Sequence, residues 1–391
     1  MPTLVTVVAS GLLAAACIYL LFLTVAGFFY RPPAPRGAAA RTRFAILVPA
    51  HNEELLLPCL LTSLQQISYD PSMRRVFVVA DNCSDGTALV ARQHGATVFE
   101  RNDVEKRGKG YALQWLLPQV RASGYDYDAY LLIDADCVIS DNFLAVMDEF
   151  LQSGSRAVQS YYTASNPYES PVATLRYMAL VLMHLIRPQG LQALGLSCGL
   201  FGTGMAFKRE VLDSLDWNAF SLAEDAEYFL KLTSLGIKVD FAPAAMVAGE
   251  MPGSFKGAGS QNKRWEKGRL QLFWKYGWKL ALAGLLRGSL WRTEVGLRLA
   301  IPPLSIMGVA VLATCGAAIA LNSPLAVVLS LLAVGSLLGH VSIGLLKARV
   351  PARAYRALGY IPVFVLWKVS IYVSALRPAE SQWIRTQRSK Q

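Results

Sequence analysis

Phe44-Ala45-Ile46-Leu47-Val48-Pro49-Ala50-His51-Asn52-Glu53 begins as an unbroken apolar run, ends it in proline and passes at once into polar residues. A strand that is apolar at every position is buried on both faces, the condition of a parallel strand covered by helices. The same pattern repeats downstream. A helix is expected over about residues 53–67, a strand at Val76-Phe77-Val78-Val79-Ala80 and a helix over 87–94. Further strands are expected at Ala96-Thr97-Val98-Phe99 and Tyr130-Leu131-Leu132-Ile133. Alternating strands and helices predict an α/β domain on a mostly parallel, Rossmann-like sheet. Ligands of such sheets gather beyond the carboxyl ends of the strands. Two acidic clusters, Asp81-Asn82-Cys83-Ser84-Asp85 and Asp134-Ala135-Asp136, directly follow strand runs.

Outward from this domain the chain turns apolar, which explains why 53% of its 391 residues are hydrophobic. Residues 4–30 are too long for a signal-peptide core and lack both a basic start and a small-residue cleavage site, so 1–31 reads as a transmembrane anchor. Arg31, Arg36, Arg41 and Arg43 follow it and almost no charge precedes it, so the positive-inside bias places the next domain in the cytoplasm. Pro32, Pro33, Pro35 and Gly37 mark residues 32–42 as a linker. Residues 271–298, with Phe273, Trp274, Trp278 and Trp291, read as an amphipathic interface region.

Residues 299–346 read as a transmembrane hairpin, two spans joined at Asn322-Ser323, after which Lys347, Arg349, Arg353 and Arg356 return the chain to the cytoplasm. The last apolar run, 357–376, holds Lys368 near its middle and is followed by Arg377, Arg385 and Arg388. It is expected to be re-entrant or interface-lying, so that 357–391 is a membrane-associated segment with a cytoplasmic basic tail. The expected setting is thus a multi-pass protein of the cell membrane. The net charge of +11 gathers beside the apolar spans, where anionic headgroups lie, which argues for a membrane and against nucleic acid. The six cysteines form no CxxC pair, so neither a zinc site nor a disulfide framework is indicated.

Between the strand ends and the C-terminal apolar runs stand Pro49-Ala50-His51-Asn52-Glu53-Glu54, Asp81-Asn82-Cys83-Ser84-Asp85-Gly86-Thr87, Arg107-Gly108-Lys109-Gly110, Asp134-Ala135-Asp136, Glu224-Asp225 and Gln261-x-x-Arg264-Trp265. In this order, over about residues 43–270, they resemble a family 2 glycosyltransferase of GT-A fold. The last motif is similar to that of membrane synthases making cellulose, hyaluronan and chitin-like polymers.

Asp134 and Asp136 stand at i and i+2, on one face of an extended strand end, where two carboxylates can hold a hard divalent cation that also binds a donor diphosphate. Mg2+ or Mn2+ is expected. The resemblance implies that Asp136 holds the metal and that Asp134 stands near the donor's ribose or sugar. By residue type Asp81 could simply begin a turn; the resemblance places a carboxylate there against the uracil ring. It also implies that Ala50, through its backbone, and Glu53 meet the base, although Glu53 also suits a helix first turn. Asp85 reads equally as a helix start, and His51 as a packing or hydrogen-bonding residue. Lys109, between two glycines, can contact the donor diphosphate or the metal-binding aspartates.

Glu224-Asp225 is an acidic start to a helix running to about residue 235. The resemblance implies that Asp225 is the general base of a single inverting displacement, with Glu224 orienting the site. Gln261, Arg264 and Trp265 follow a glycine-rich stretch, 253–259, expected to be flexible. Arg264 can pair with diphosphate oxygens and Trp265 can stack on the acceptor sugar, with Gln261 on the donor side. Gly202 and Thr203 lie in a small-residue loop resembling the family's acceptor segment, and Phe201 stands where polymer synthases often carry Cys or a small residue. The apolar stretch 175–186 reads as an interface helix that admits a lipid.

Together these readings predict a membrane-embedded, metal-dependent, inverting glycosyltransferase using a nucleotide sugar, with UDP as the nucleotide, to extend a polysaccharide. The alternative is addition of one sugar to a lipid acceptor, since two or three C-terminal spans offer little helix surface for a polymer channel. A partner subunit or a second copy could complete such a channel. A third reading is a non-catalytic membrane scaffold.

Overall fold

The computed structural model describes residues 1–33 and 40–376. Pro35, Arg36 and Gly37 of the linker, and Arg377, Arg385 and Arg388 of the tail, lie outside the described residues. A long helix, α1 (Pro2–Ala26), comes first. β1 (Phe44–Ala50), α2 (Leu57–Gln66), β2 (Arg74–Asp81), α3 (Thr87–Gln93), β3 (Thr97–Arg101), α4 (Lys109–Ala122) and β4 (Ala129–Leu132) then alternate as the apolar runs predict. β5 (Cys137–Ile139), α5 (Phe143–Gln152) and β6 (Ala157–Ala164) follow. A helical excursion, α6 (Pro171–Val181), a π-turn (Leu182–Ile186) and α7 (Arg187–Ala193), leads to β7 (Met205–Lys208), α8 (Arg209–Leu215), α9 (Glu224–Ser234) and β8 (Val239–Gly249).

The strands form one eight-stranded sheet in the order β3-β2-β1-β4-β7-β6-β8-β5. β1 runs parallel to β2 and β4, β2 to β3, and β6 to β8. β7 lies antiparallel between β4 and β6, and β5 antiparallel beside β8. The sheet is therefore mixed, with β3, β2, β1 and β4 forming its parallel block.

The unbroken apolar run of β1 has a direct packing reason. Ala45 and Leu47 point into one core with Leu113, Leu116 and Leu117 of α4, while Phe44, Ile46 and Val48 point into the other with Leu57, Leu60, Leu61 and Leu64 of α2. Alternate residues of a strand face opposite sides, so burial of both sides requires an apolar residue at each step.

Two local expectations are revised. The first helix begins at Leu57 rather than near residue 53, because residues 53–56 are drawn into the loop beyond β1: the Glu53 amide donates to Thr87 Oγ1 at 2.8 Å and the Glu54 amide to Asp85 at 3.2 Å. Pro58, which has no amide to donate, then fits the first turn. The stretch 253–259, expected to be flexible, instead opens α10 (Phe255–Leu272), capped by Ser254 Oγ accepting from the Gly257 amide at 3.2 Å. A second π-turn (Phe273–Gly277) joins α10 to α11 (Trp278–Leu286), and α12 (Leu290–Arg298) follows.

α13 (Leu304–Ala320) and α14 (Pro324–Lys347) form a hairpin turning at Asn322, whose φ is 49°. Its first helix starts later than residue 299 because Pro302 and Pro303 stand in its path. α1 packs on both helices, with Ser10 and Ser330 hydroxyls 3.0 Å apart and Thr24 Oγ1 2.6 Å from His340 Nδ1. Such polar contacts add directional bonds to packing between otherwise apolar helices. A 3₁₀ stretch (Ala352–Tyr360) leads into α15 (Ile361–Leu376). Among the described residues, Pro2–Phe29, Pro324–Lys347 and Ala352–Ala375 are long and apolar enough to cross a membrane, and the 17-residue α13 is shorter. Lys368, in the middle of the last of these, is answered within the protein: its Nζ donates to Asn262 Oδ1 at 2.7 Å and lies 3.7 Å from Glu266.

Candidate active site

Beyond the carboxyl ends of β1, β2 and β4 opens a cavity of about 1340 Å³. Ala50, Glu53, Asp81, Lys109, Asp134, Asp136, Gly202, Glu224, Asp225, Gln261, Arg264 and Trp265 all line it. Thr203 does not line it but braces it, its Oγ1 accepting from the Asp134 amide at 3.0 Å. The residues singled out from sequence, spread over more than two hundred positions, are thus brought to one place.

The loops after β1 and β2 are knitted together. Asn52 and Asn82 both take left-handed backbone, with φ of 55° and 52°, a conformation asparagine tolerates. The Ser84 amide donates to Asn52 Oδ1 at 2.7 Å, and His51 Nδ1 lies 2.7 Å from the Asp81 carbonyl. The last contact gives His51 a hydrogen-bonding role, as its residue type suggested. Asp81 is buried and pairs with Arg101 at 2.5 Å. Burial pushes its carboxyl up, and the Arg101 guanidinium opposes that shift. Arg101 is held in turn by Asp103 at 3.0 Å and by the Lys106 carbonyl at 2.9 Å. Sequence reasoning missed Arg101, which reaches Asp81 only because β3 pairs with β2 in the register that sets these two residues side by side.

Lys109, the first residue of α4, donates to Asp134 Oδ1 at 2.5 Å and to the Gly202 carbonyl. Burial works against its ammonium, but Asp134, Glu224 and Asp225 outweigh that and hold it above its ordinary pKa. Gly110 lets α4 begin this close to the opposite loop, since a Cβ there would come 2.2 Å from the Ala219 carbonyl oxygen. Gly204, with φ of +65°, is required for a similar reason: a Cβ would meet Ser160 Oγ at 1.9 Å.

Asp225 stands in the first turn of α9, where the Ala226 amide donates to its Oδ1 at 2.8 Å. Burial, and next the Glu224 carboxylate, push its pKa up to about 7. Its Oδ2 faces Gly202, whose Cβ, if present, would lie 3.6 Å away. A carboxyl raised toward neutrality in the lining of a cavity is chemically able to accept a proton near physiological pH.

Asp134 and Asp136 follow β4 as expected, with Cys137 Sγ donating to Asp136 Oδ1 at 3.4 Å. Among the described residues no group of three His, Cys, Asp or Glu side chains is gathered as a cage for a metal ion. A few hard carboxylate oxygens beside open space fit Mg2+ or Mn2+ with substrate phosphates completing the coordination, rather than a site built wholly of protein.

On the far wall, Gln261 Oε1 accepts from Arg176 Nη2 at 2.6 Å. The Arg176 guanidinium also lies 6.0 Å from the centre of the Trp265 ring. Arg176 was not legible as a site residue, because an arginine within an apolar helix carries no motif. Phe201 stacks on His184 at 4.3 Å between centroids, and burial pushes that imidazole down to about 4, so it is neutral.

A mixed sheet with carboxylate-bearing loops at its strand ends and helices on both faces is the arrangement of the GT-A fold. Residues 41–268 match the profile described as "Glycosyltransferase like family 2", and the chain belongs to that family. It is 30% identical to the beta-monoglucosyldiacylglycerol synthase of Trichormus variabilis over 247 residues, 61% of this chain and 51% of the relative. It is 32% identical to the 4,4'-diaponeurosporenoate glycosyltransferase of Staphylococcus haemolyticus over 149 residues, 35% of this chain and 37% of the relative. The chain therefore spans about half of the first relative's length and less of the second's. A mannosyltransferase from Pyrobaculum calidifontis, solved with GDP-Man and Mn2+, shares the fold with a TM-score of 0.60 and 18% identity over 96% of this chain and 100% of that one.

Removing Arg101 strands a buried carboxylate. Arg101→Ala is expected to cost about 3–5 kcal/mol, read as a lowered Tm of the purified protein. An unchanged Tm would show that the pair does not support the loop.

Proposed function

We propose that this chain is a membrane-seated, metal-dependent, inverting transferase that moves one sugar from a nucleotide diphosphate, with UDP as the nucleotide, onto a lipid acceptor. The observation that carries this reading is the mixed lining of a single cavity. Asp81, Asp134, Asp136 and Asp225 line it together with the apolar Leu180, Met183, Leu299, Ile301, Leu304 and Phe364. A lipid whose hydroxyl reaches the carboxylates while its chain stays on apolar side chains suits that lining. The two relatives described above bear names of glycolipid and carotenoid-glycoside synthesis, which favours the same class. Cations after α1 and after α14, namely Arg31, Arg41 and Arg43 and then Lys347, Arg349 and Arg353, support a multi-pass placement in the cell membrane with the catalytic domain cytoplasmic.

In this reading Asp81, with Ala50 and Glu53, receives the base, and Arg264 and Gln261 orient the diphosphate and sugar. Asp136 would hold Mg2+ or Mn2+, which when bound offsets the charge on the departing diphosphate. Lys109 keeps Asp134 in place. Asp225 takes the proton of the acceptor hydroxyl as its oxygen attacks the anomeric carbon from the face opposite the leaving diphosphate, which inverts that centre. Glu224 orients Asp225, and Trp265, Gly202 and Thr203 shape the acceptor side. A second reading, polysaccharide extension, is favoured by Gln261-x-x-Arg264-Trp265 with the Trp265 ring set at the cavity wall.

Asp225→Asn is expected to lower kcat by at least about 10²-fold while UDP affinity stays near the parent's, because the amide cannot accept a proton. In the parent, kcat/KM should rise with pH through the region near 7 and level off above it, since Asp225 acts only once deprotonated. A flat profile there, or a fully active Asn variant, removes Asp225 as base. Asp136→Ala should abolish the dependence of donor affinity on Mg2+ or Mn2+, measured by calorimetry with and without chelator. Products decide the acceptor: purified protein given UDP sugars and membrane lipids should yield lipids heavier by one sugar in mass spectrometry. A ladder of lengthening oligosaccharides would install the polymer reading instead, and no UDP release from any donor would leave the scaffold.

A further inference from the structure

The helical stretch formed by α6, the π-turn and α7 turns one face to the cavity, bearing Arg176, Leu180, Met183, His184 and Arg187. Its cations are not used in the transfer described above. π-Turns inside helices are frequent at functional sites because they redirect side chains. Arg176 is only 6% exposed, and while Nη2 binds Gln261, Nη1 is buried with no hydrogen-bond partner among the described residues. About 16 Å further along the helix axis, the Nε of Arg187 is likewise buried with no partner.

The neighbouring cations differ. Arg269 pairs with Glu266 at 3.1 Å and donates to the Leu299 and Ile301 carbonyls; Arg298 pairs with Glu294 at 3.2 Å and donates to the Cys198 and Ser197 carbonyls. Lys368 shares Glu266 with Arg269. Among the described residues no carboxylate forms an ion pair with Arg176. Burial lowers its pKa to about 10, so it remains a cation at neutral pH.

A buried guanidinium with an unanswered N–H is costly unless something supplies the missing acceptor. An oxyanion can accept from the planar guanidinium through two parallel bonds, with Lys368 the neighbouring cation. The adjoining Leu180, Met183 and Phe364 offer no partner to a free ion but suit a hydrocarbon chain.

We propose that Arg176 is the centre of a subsite for the oxyanion of an amphiphile, a phosphate or carboxylate carried on an apolar chain, where Arg176 lines the cavity beside Leu180 and Met183. The inference rests on the lipid-acceptor reading and narrows it to anionic lipids. Arg176 is a binding residue of this subsite, and Arg187 makes the same wall basic further along.

The test is donor-free binding by the full chain in dodecyl maltoside, read by native mass spectrometry and by Tm. Hexadecyl phosphate or hexadecanoate should be retained and should raise Tm, and hexadecanol and inorganic phosphate should do neither. Arg176→Met, with a bare Tm close to the parent's as the sign of folding, should lose affinity at least tenfold, and Arg176→Lys should recover part of it. UDP with Mn2+ should not displace hexadecyl phosphate.

Equal retention of hexadecanol overturns the oxyanion, and displacement by inorganic phosphate at equal concentration overturns the amphiphile. Displacement by UDP would assign Arg176 to the donor, and parental affinity in a folded Arg176→Met would remove it altogether. If that variant does not fold, discrimination by the parent among the four probes decides alone. Because no sugar is transferred in this assay, its outcome is separable from failure of the transferase reading; turnover on a neutral lipid alone would keep that reading and sink this one.

Discussion

The ammonium of Lys109 is the contact on which the site depends. Asp134, beyond β4, and Glu224 and Asp225, in the first turn of α9, converge, and so many carboxylates would drive those elements apart or force protons onto the acids. Lys109 lies among them, bound to Asp134 Oδ1 at 2.5 Å and to the Gly202 carbonyl. One side chain thereby ties the start of α4 to the end of β4 and to the small-residue loop before β7. The arrangement needs Gly110 for the close approach of α4 and Gly204 for the turn beside Ser160. The compensation is incomplete at Asp225, whose burial and nearness to Glu224 keep it near neutrality, where a proton acceptor is useful.

The second constraint is the meeting of a polar cavity with apolar helices. α10 carries Gln261, Arg264 and Trp265 on the cavity side, and Asn262 and Glu266 receive Lys368 from α15. Arg176 from α6 completes the wall through Gln261. Elements that are apolar enough for a bilayer are thus joined to the catalytic domain by hydrogen bonds and ion pairs, which have directional requirements that hydrocarbon contact lacks.

Much of the molecule was legible because the signals are local. β1, β2 and β4 announce themselves as unbroken apolar runs, since each is covered on both faces. The start of α9 at Glu224 follows from acidic residues at a helix N-terminus. Asp134 and Asp136 could be placed because they directly follow a strand, and ligands collect where strands end. The stretch 253–259 was misread for the opposite reason. Its glycines suggest flexibility, but Ser254 caps a helix whose stability comes from packing against α15 and the domain, and a local propensity is weaker than that packing.

By itself, then, the sequence determined the α/β domain, its apolar flanks and the acidic clusters at its strand ends, because periodicity and residue type act over a few neighbouring positions. Only the tertiary structure decided who answers each charge. Arg101 meets Asp81 through strand register, Arg176 meets Gln261 from 85 positions away, and Lys368 meets Asn262 from 106. Such pairings depend on which surfaces the fold brings together, and no local pattern encodes them. The unanswered Nη1 of Arg176 belongs to the same class: it becomes visible only when the described residues around it have been placed in space.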